Sequence, residues 1–121
     1  MPTIKPNFTA QQGMTSLDGY GASWQAMANG DVGGSIDKFG GFADKSMQVE
    51  GTFGAGGTVI AEGSNDGVNF RTLNDPQGNP ISMTAAGIKT ILESVLHIRP
   101  RVTAGDGTTS LSVTMFARKT P

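Results

Sequence analysis

The chain carries one histidine, His97, no cysteine, and ten carboxylates scattered from Asp18 to Asp106. Acid–base or nucleophilic catalysis needs such groups gathered together, with a second group orienting the first. His97 lies between Leu96 and Ile98 with no second ligand or base marked beside it. So placed, it reads as a residue on the less buried face of a strand rather than as a base or metal ligand. The absence of cysteine removes a thiol nucleophile, a disulfide scaffold, a Cys-ligated zinc and an iron–sulfur cluster. No G-x-S-x-G, H-E-x-x-H or Walker sequence is present. Gly54-Ala-Gly56 lacks the third glycine and the helix of a dinucleotide cradle and reads as a hairpin turn. Glu62-Gly-Ser64-Asn-Asp66-Gly67 spaces oxygens as the start of an EF-hand loop does. Its twelfth position is Leu73, which cannot coordinate, so this too reads as a turn. Two carboxylates could meet as a glycosidase pair, but most sit in turns where Asp serves the backbone. The expectation is a protein with no catalytic residues, no metal and no cofactor.

Binding chemistry is better represented. Trp24, Tyr20, Phe39 and Phe42 could form a platform for stacking on a sugar or a base. The competing reading is that they fill the core of a glycine-rich half that has few other large side chains. Arg99, Arg101, Arg118 and Lys119 give the C-terminal segment a basic bias, and Asp106 is the only acid after Glu93. That patch suits an acidic protein surface, or simply a solvated sheet face. Nine Lys plus Arg against ten Asp plus Glu give a net charge of −1. Such a balance does not grip nucleic acid or an anionic membrane by bulk electrostatics.

The elements that must position these residues read as short strands. With 121 residues the chain has room for one domain and a real core. Only 16% of residues are charged and 18 are glycine, so the surface must be largely Ser, Thr, Gly, Asn and Gln. No apolar stretch at the N-terminus could act as a signal peptide, and the longest aliphatic run is Val59-Ile60-Ala61. Residues 1–14, with Pro2 and Pro6 and no period, are expected to form an extended arm, and residues 15–121 a single β domain. Asp18-Gly19, Asn29-Gly30, Asp66-Gly67 and Asp106-Gly107 supply turn chemistry. Met47, Val49, Gly51 and Phe53 alternate with polar residues, as do Leu111, Val113, Met115 and Ala117. The latter strand is read with Leu96–Thr103 as a C-terminal hairpin. Pro100 cannot donate to a ladder, which points to an edge or bulged strand. Residues 84–97 fit either an amphipathic helix through Ile88, Ile91, Leu92, Val95 and Leu96 or a strand. Their β-branched content and Gly87 favour the strand. Many short strands between turns make an all-β antiparallel sandwich or jelly-roll.

Val49-Glu-Gly-Thr-Phe53, Val59-Ile-Ala-Glu-Gly-Ser-Asn-Asp-Gly67, Phe70-Arg-Thr-Leu73 and Ile98-Arg-Pro-Arg-Val-Thr103 together resemble small virion proteins of tailed bacteriophages. The resemblance covers about residues 46–119. It implies a capsid decoration, or cement, protein: a β-sandwich bound outside the assembled shell, self-associated as a dimer or trimer, bridging major capsid subunits. It carries over no catalytic motif. Ile4, Phe8, Trp24, Phe39, Phe42, Arg99, Arg101 and Arg118, with the arm and loops 29–45, are the contact residues expected from side-chain type. The alternatives are a head–tail or tail component, and a carbohydrate-binding module using Trp24, Tyr20 or Phe70.

Overall fold

The computed structural model describes residues 3–4, 7–10, 19–37 and 42–119. Where apolar and polar residues alternate, the chain is extended. In chain order the strands are β1 (Thr3–Ile4), β2 (Asn7–Ala10), β3 (Gly19–Met27), β4 (Val32–Gly33), β5 (Asp44–Thr52) and β6 (Thr58–Ser64). They continue with β7 (Arg71–Thr72), β8 (Ser82–Met83), β9 (Gly87–Ile91), β10 (His97–Ala104) and β11 (Ser110–Arg118). There is no helix among the described residues. The strand reading of 84–97 holds for Gly87–Ile91, and the chain is irregular from there to His97. Helical periodicity there is misleading, because Ile88, Leu92 and Leu96 stand exposed rather than forming one buried stripe.

Two sheets build the domain. One runs β1-β4-β10-β6-β7, with β8 also on β6; the other runs β2-β3-β11-β5-β9. All pairings are antiparallel except β1 on β4. The described parts of the expected arm, β1 and β2, are extended and lie at the edges of the two sheets; its other residues lie outside the described ones. Inward residues of both sheets make one core: Trp24, Met47, Val49, Leu111, Val113 and Met115 from one, Val59, Ala61, Ile98 and Val102 from the other. Each large side chain so buried contributes about 1.5–3 kcal/mol. Trp24 is completely buried and its indole N–H donates to the Gly34 carbonyl at 3.0 Å, so burial leaves no orphan donor.

Most consecutive strands change sheet, which corrects two expectations. β10 pairs with β6 and β4, whereas β11 pairs with β3 and β5. The C-terminal pair is therefore an arch across the core and not a hairpin. The same holds at Gly54–Gly57, where the chain passes from β5 in one sheet to β6 in the other. Of the two readings of Pro100, an edge strand or a bulged one, the second holds: β10 is an inner strand whose register against β6 shifts between Val102 and Ala104. The backbones of Ile98 and Val102 bond toward residues 30–36, so the position that lacks an N–H also faces that side. There the ring lies against Gly33, where a Cβ would come within 2.6 Å of it, and the ladder is interrupted. A true hairpin joins β6 to β7, with Glu62 opposite Thr72 and Gly63 opposite Arg71.

The crossings at one end are laced by side chains. Asp106 accepts from the backbone N–H of Ala55 at 2.9 Å and from the N–H and hydroxyl of Thr108 at 2.9 and 2.6 Å. The Thr109 hydroxyl donates to the Phe53 carbonyl at 2.7 Å, and the Asn29 amide donates to the Gly105 carbonyl at 3.2 Å. Three crossings are so tied: 28–31, 53–57 and 105–109. At Gly51, φ is +121° and a Cβ would overlap the Ser110 carbonyl, so the strand beside this knot needs glycine. Elsewhere, Asn74 is tied to Glu93 through its backbone N–H at 2.8 Å and its side chain at 2.6 Å. Lys45 points inward on β5 and is buried, its ammonium donating to the Phe42 carbonyl at 3.5 Å. Burial pulls the Lys45 ammonium below its ordinary value, against the opposing pull of Asp44 and Glu93.

The hydrogen bonds from Thr108 and Ala55 hold Asp106 down to about 2, from an ordinary 3.8. The unfolded chain therefore takes up this proton first as pH falls. The stabilisation is complete above about pH 4 and is lost on the way to about pH 2. The urea unfolding midpoint should fall across that interval. Asp106→Asn should lower the midpoint at neutral pH and flatten part of the acid slope; an identical slope in the variant would show that the tie does not control it.

Candidate functional site

The outward residues of β10 are His97, Arg99 and Arg101, alternating with buried Ile98, Pro100 and Val102. Beside them β6 presents Ser64, Glu62 and Ile60, in register with His97, Arg99 and Arg101. These outward β6 residues are themselves almost fully covered: Glu62 is only 5% exposed. Its carboxylate accepts from Arg99 Nε at 2.7 Å and lies 3.7 Å from Arg101 Nε. The Arg99 guanidinium sits over the Phe70 ring, 3.7 Å from its centre. Cation, carboxylate and ring thus form one stack in which each covers the next. Two arginines against one carboxylate leave a surplus positive charge. Arg101 carries it: its Nε is buried with no hydrogen-bond partner, yet its side chain is 41% exposed.

Around this stack the 64–69 turn closes on itself. Ser64 Oγ accepts from the N–H groups of Asp66 and Gly67, and Asp66 accepts from the N–H groups of Val68 and Asn69. The Asn69 side chain, then the Asn69 and Val68 backbone, hold the Asp66 carboxyl well below the usual carboxylate range. The oxygens that suggested a calcium loop are thereby engaged by the chain's own donors. Among the described residues no group of three His, Asp or Glu could hold a metal ion.

The opposite outer face belongs to the other sheet and is arranged differently. Its cross-strand register forms rows: Gly19–Arg118–Asp44, then Gly21–Phe116–Ser46–Thr90, then Ser23–Thr114–Gln48–Ile88. Arg118 Nε donates to Asp44 Oδ2 at 3.0 Å, with both side chains about half exposed. A shallow groove of about 340 Å³ is lined by Asp44, Lys45, Ser46, Thr90, Phe116 and Arg118.

The expected contact residues are therefore dispersed. Arg99 and Arg101 share one face, and Arg118 lies on the opposite one, so the basic patch read from the C-terminal segment is divided. Trp24 is core and presents no surface. Phe42 is partly buried and packs against the core, as does Tyr20. Ile4 and Phe8 lie on edge strands β1 and β2, and Phe39 lies outside the described residues. His97 is half-buried, in register with Ser64, its Nε2 close to Gly67. Sequence reasoning missed Glu62 as the counter-ion, for which only the β6–β10 register is informative. It also passed over Phe116, although the alternation of Leu111, Val113, Met115 and Ala117 already turns that ring outward.

No protein-family model matches the chain, and no curated protein matches it in sequence. Its fold is shared with a solved structure, the SPBc2 prophage-derived protein YomS, at a TM-score of 0.62 and 10% sequence identity. The match covers 82% of this chain and 93% of that one, so the likeness extends over nearly all of the other protein.

Glu62 holds the stack together, and its removal strands two guanidinium groups. Glu62→Gln should cost about 2 kcal/mol, the worth of a hydrogen bond to a charged group. Arg101→Ala should cost about 1 kcal/mol or less, since its 3.7 Å contact is long and half exposed. Urea unfolding at neutral pH measures both, and equal losses would contradict the assigned roles.

Proposed function

We propose that this chain is a structural phage protein that binds the outside of an assembled capsid and bridges major capsid subunits. The single observation that carries the reading is a two-sheet fold shared over 82% of this chain with a prophage-derived protein. The resemblance of residues 46–119 to small virion proteins points the same way. Arg101, the surplus cation of the stack, suits an acidic patch on a shell subunit. Its guanidinium is half exposed and its charge is only loosely engaged by Glu62, so it is available to a carboxylate of the partner. Edge strands β1 and β2 place Ile4 and Phe8 at the sheet margins, where a neighbouring subunit can be reached. Self-association as a dimer or trimer would multiply weak contacts across a symmetric lattice. Binding the assembled shell and not the free subunit stabilises the shell by mass action.

A head–tail or tail position is the nearest rival. Quantitative mass spectrometry of purified particles separates the two. Copies comparable with the major capsid protein are expected; copies near a single ring would move the protein to the neck or tail, and absence would end the virion reading. Re-addition to stripped particles should raise their rupture temperature, and Arg101→Ala should weaken that rebinding about tenfold, corresponding to the loss of one charge-assisted contact. An unchanged rupture temperature with saturating bound protein would overturn stabilisation as the role.

A further inference from the structure

Apart from Arg118, the groove centred on Phe116 has no part in the capsid reading, and it has a chemistry of its own. Phe116 lies on the outward side of β11, partly exposed. Its direct cross-strand neighbours are Gly21 and Ser46. One has no side chain and the other a very small one, so neither direct neighbour has the bulk to cover the ring. The next row sets Gly19 beside Arg118 and Asp44, and the groove opens along that line. The ion pair uses only Arg118 Nε and Asp44 Oδ2. The terminal guanidinium nitrogens and Asp44 Oδ1 are therefore unpaired among the described residues. Ser46 and Thr90 add two hydroxyls to the lining.

We propose that this groove binds one saccharide unit of a neutral glycan. The lining is an aromatic face with donors and acceptors beside it; Arg118 and Asp44 cancel at its surface, and the ammonium of Lys45, the other charged lining residue, is buried and turned to the Phe42 carbonyl. An anionic ligand would gain nothing from that cancelled pair and would lose its own hydration. A flat apolar ligand would leave the unpaired donor and acceptor atoms without partners. A pyranose satisfies both: its C–H face packs on the Phe116 ring and its hydroxyls bridge Asp44 Oδ1, the Arg118 nitrogens and the Ser46 and Thr90 hydroxyls. The volume of about 340 Å³ is at the small end for ligand sites, in keeping with one sugar ring and millimolar affinity per site. Weak single sites of this kind become useful when many copies are displayed together.

The test is a nitrogen-15 NMR titration of the whole chain with methyl glycosides of glucose, galactose, mannose and N-acetylglucosamine, and with uridine as a stacking control. At least one glycoside should shift the amides of Ser46, Thr90, Phe116 and Arg118 in a saturable manner. Phe116→Ala and Asp44→Asn should each weaken that binding about tenfold or more, the scale of one lost packing or hydrogen-bonding partner. Phe116→Leu preserves an apolar side chain, should leave the amide spectrum elsewhere unchanged, and should still lose the binding; it decides the matter if Phe116→Ala does not fold. No shift with any glycoside, shifts with uridine alone, or affinity in Phe116→Leu and Asp44→Asn unchanged from that of the parent chain would each overturn the proposal.

Discussion

A chain that passes repeatedly between two sheets must carry its backbone across the end of the core, and those crossings need hydrogen-bond partners that no ladder supplies. Here Asp106 and Thr109 provide them. One carboxylate reaches from its own turn to Ala55, and one hydroxyl reaches from the same turn to Phe53. Asn29 adds the link from the third crossing. The position of β6 over the core, and hence the register that sets Glu62 against Arg99, depends on where the 53–57 crossing delivers the chain. Side chains with no catalytic meaning thereby fix the geometry of the face that carries the charged stack.

The two outer faces illustrate opposite uses of the same architecture. On one, a buried carboxylate holds Arg99 against the Phe70 ring and leaves Arg101 at a longer distance, half exposed. That arrangement leaves one positive charge in excess at the surface. On the other, glycine and serine flank Phe116, and the ion pair beside it is short in one contact and unpaired in the rest. Rigidity comes there from the sheet itself, and the open ring leaves room for a ligand to complete the surface. Neither face disturbs the core, because alternation along β10 and β11 separates inward from outward residues completely.

Much of this was legible beforehand in particular residues. Met47 and Val49, and Leu111 through Ala117, alternate so regularly that their strands and their buried face follow from spacing alone. Trp24 was readable as core or platform, and the Gly34 carbonyl decides for core by satisfying its indole N–H. The division of Arg99 and Arg101 from Arg118 was not legible. Asp106-Gly107 between two alternating strands has the same local chemistry whether the chain doubles back beside itself or crosses a core, since both need a tight, capped turn. Pro100 left an edge or a bulged strand open for a related reason: a residue without an N–H suits an edge, and it suits an irregular inner strand equally where its ring packs against Gly33.

The amino-acid sequence by itself determined what short-range physics controls: that the chain is built of short strands between turns, which side chains of the alternating strands turn inward, and that no disulfide is available to it. Only the tertiary structure decided which strands share a sheet, that Glu62 is a buried counter-ion to two arginines, and that Phe116 opens onto a groove with Asp44 and Arg118. The reason is that alternation records one face of one strand at a time. Pairing joins residues such as Glu62 and Arg99, which are 37 positions apart, and that choice is settled by how the two sheets close on a common core.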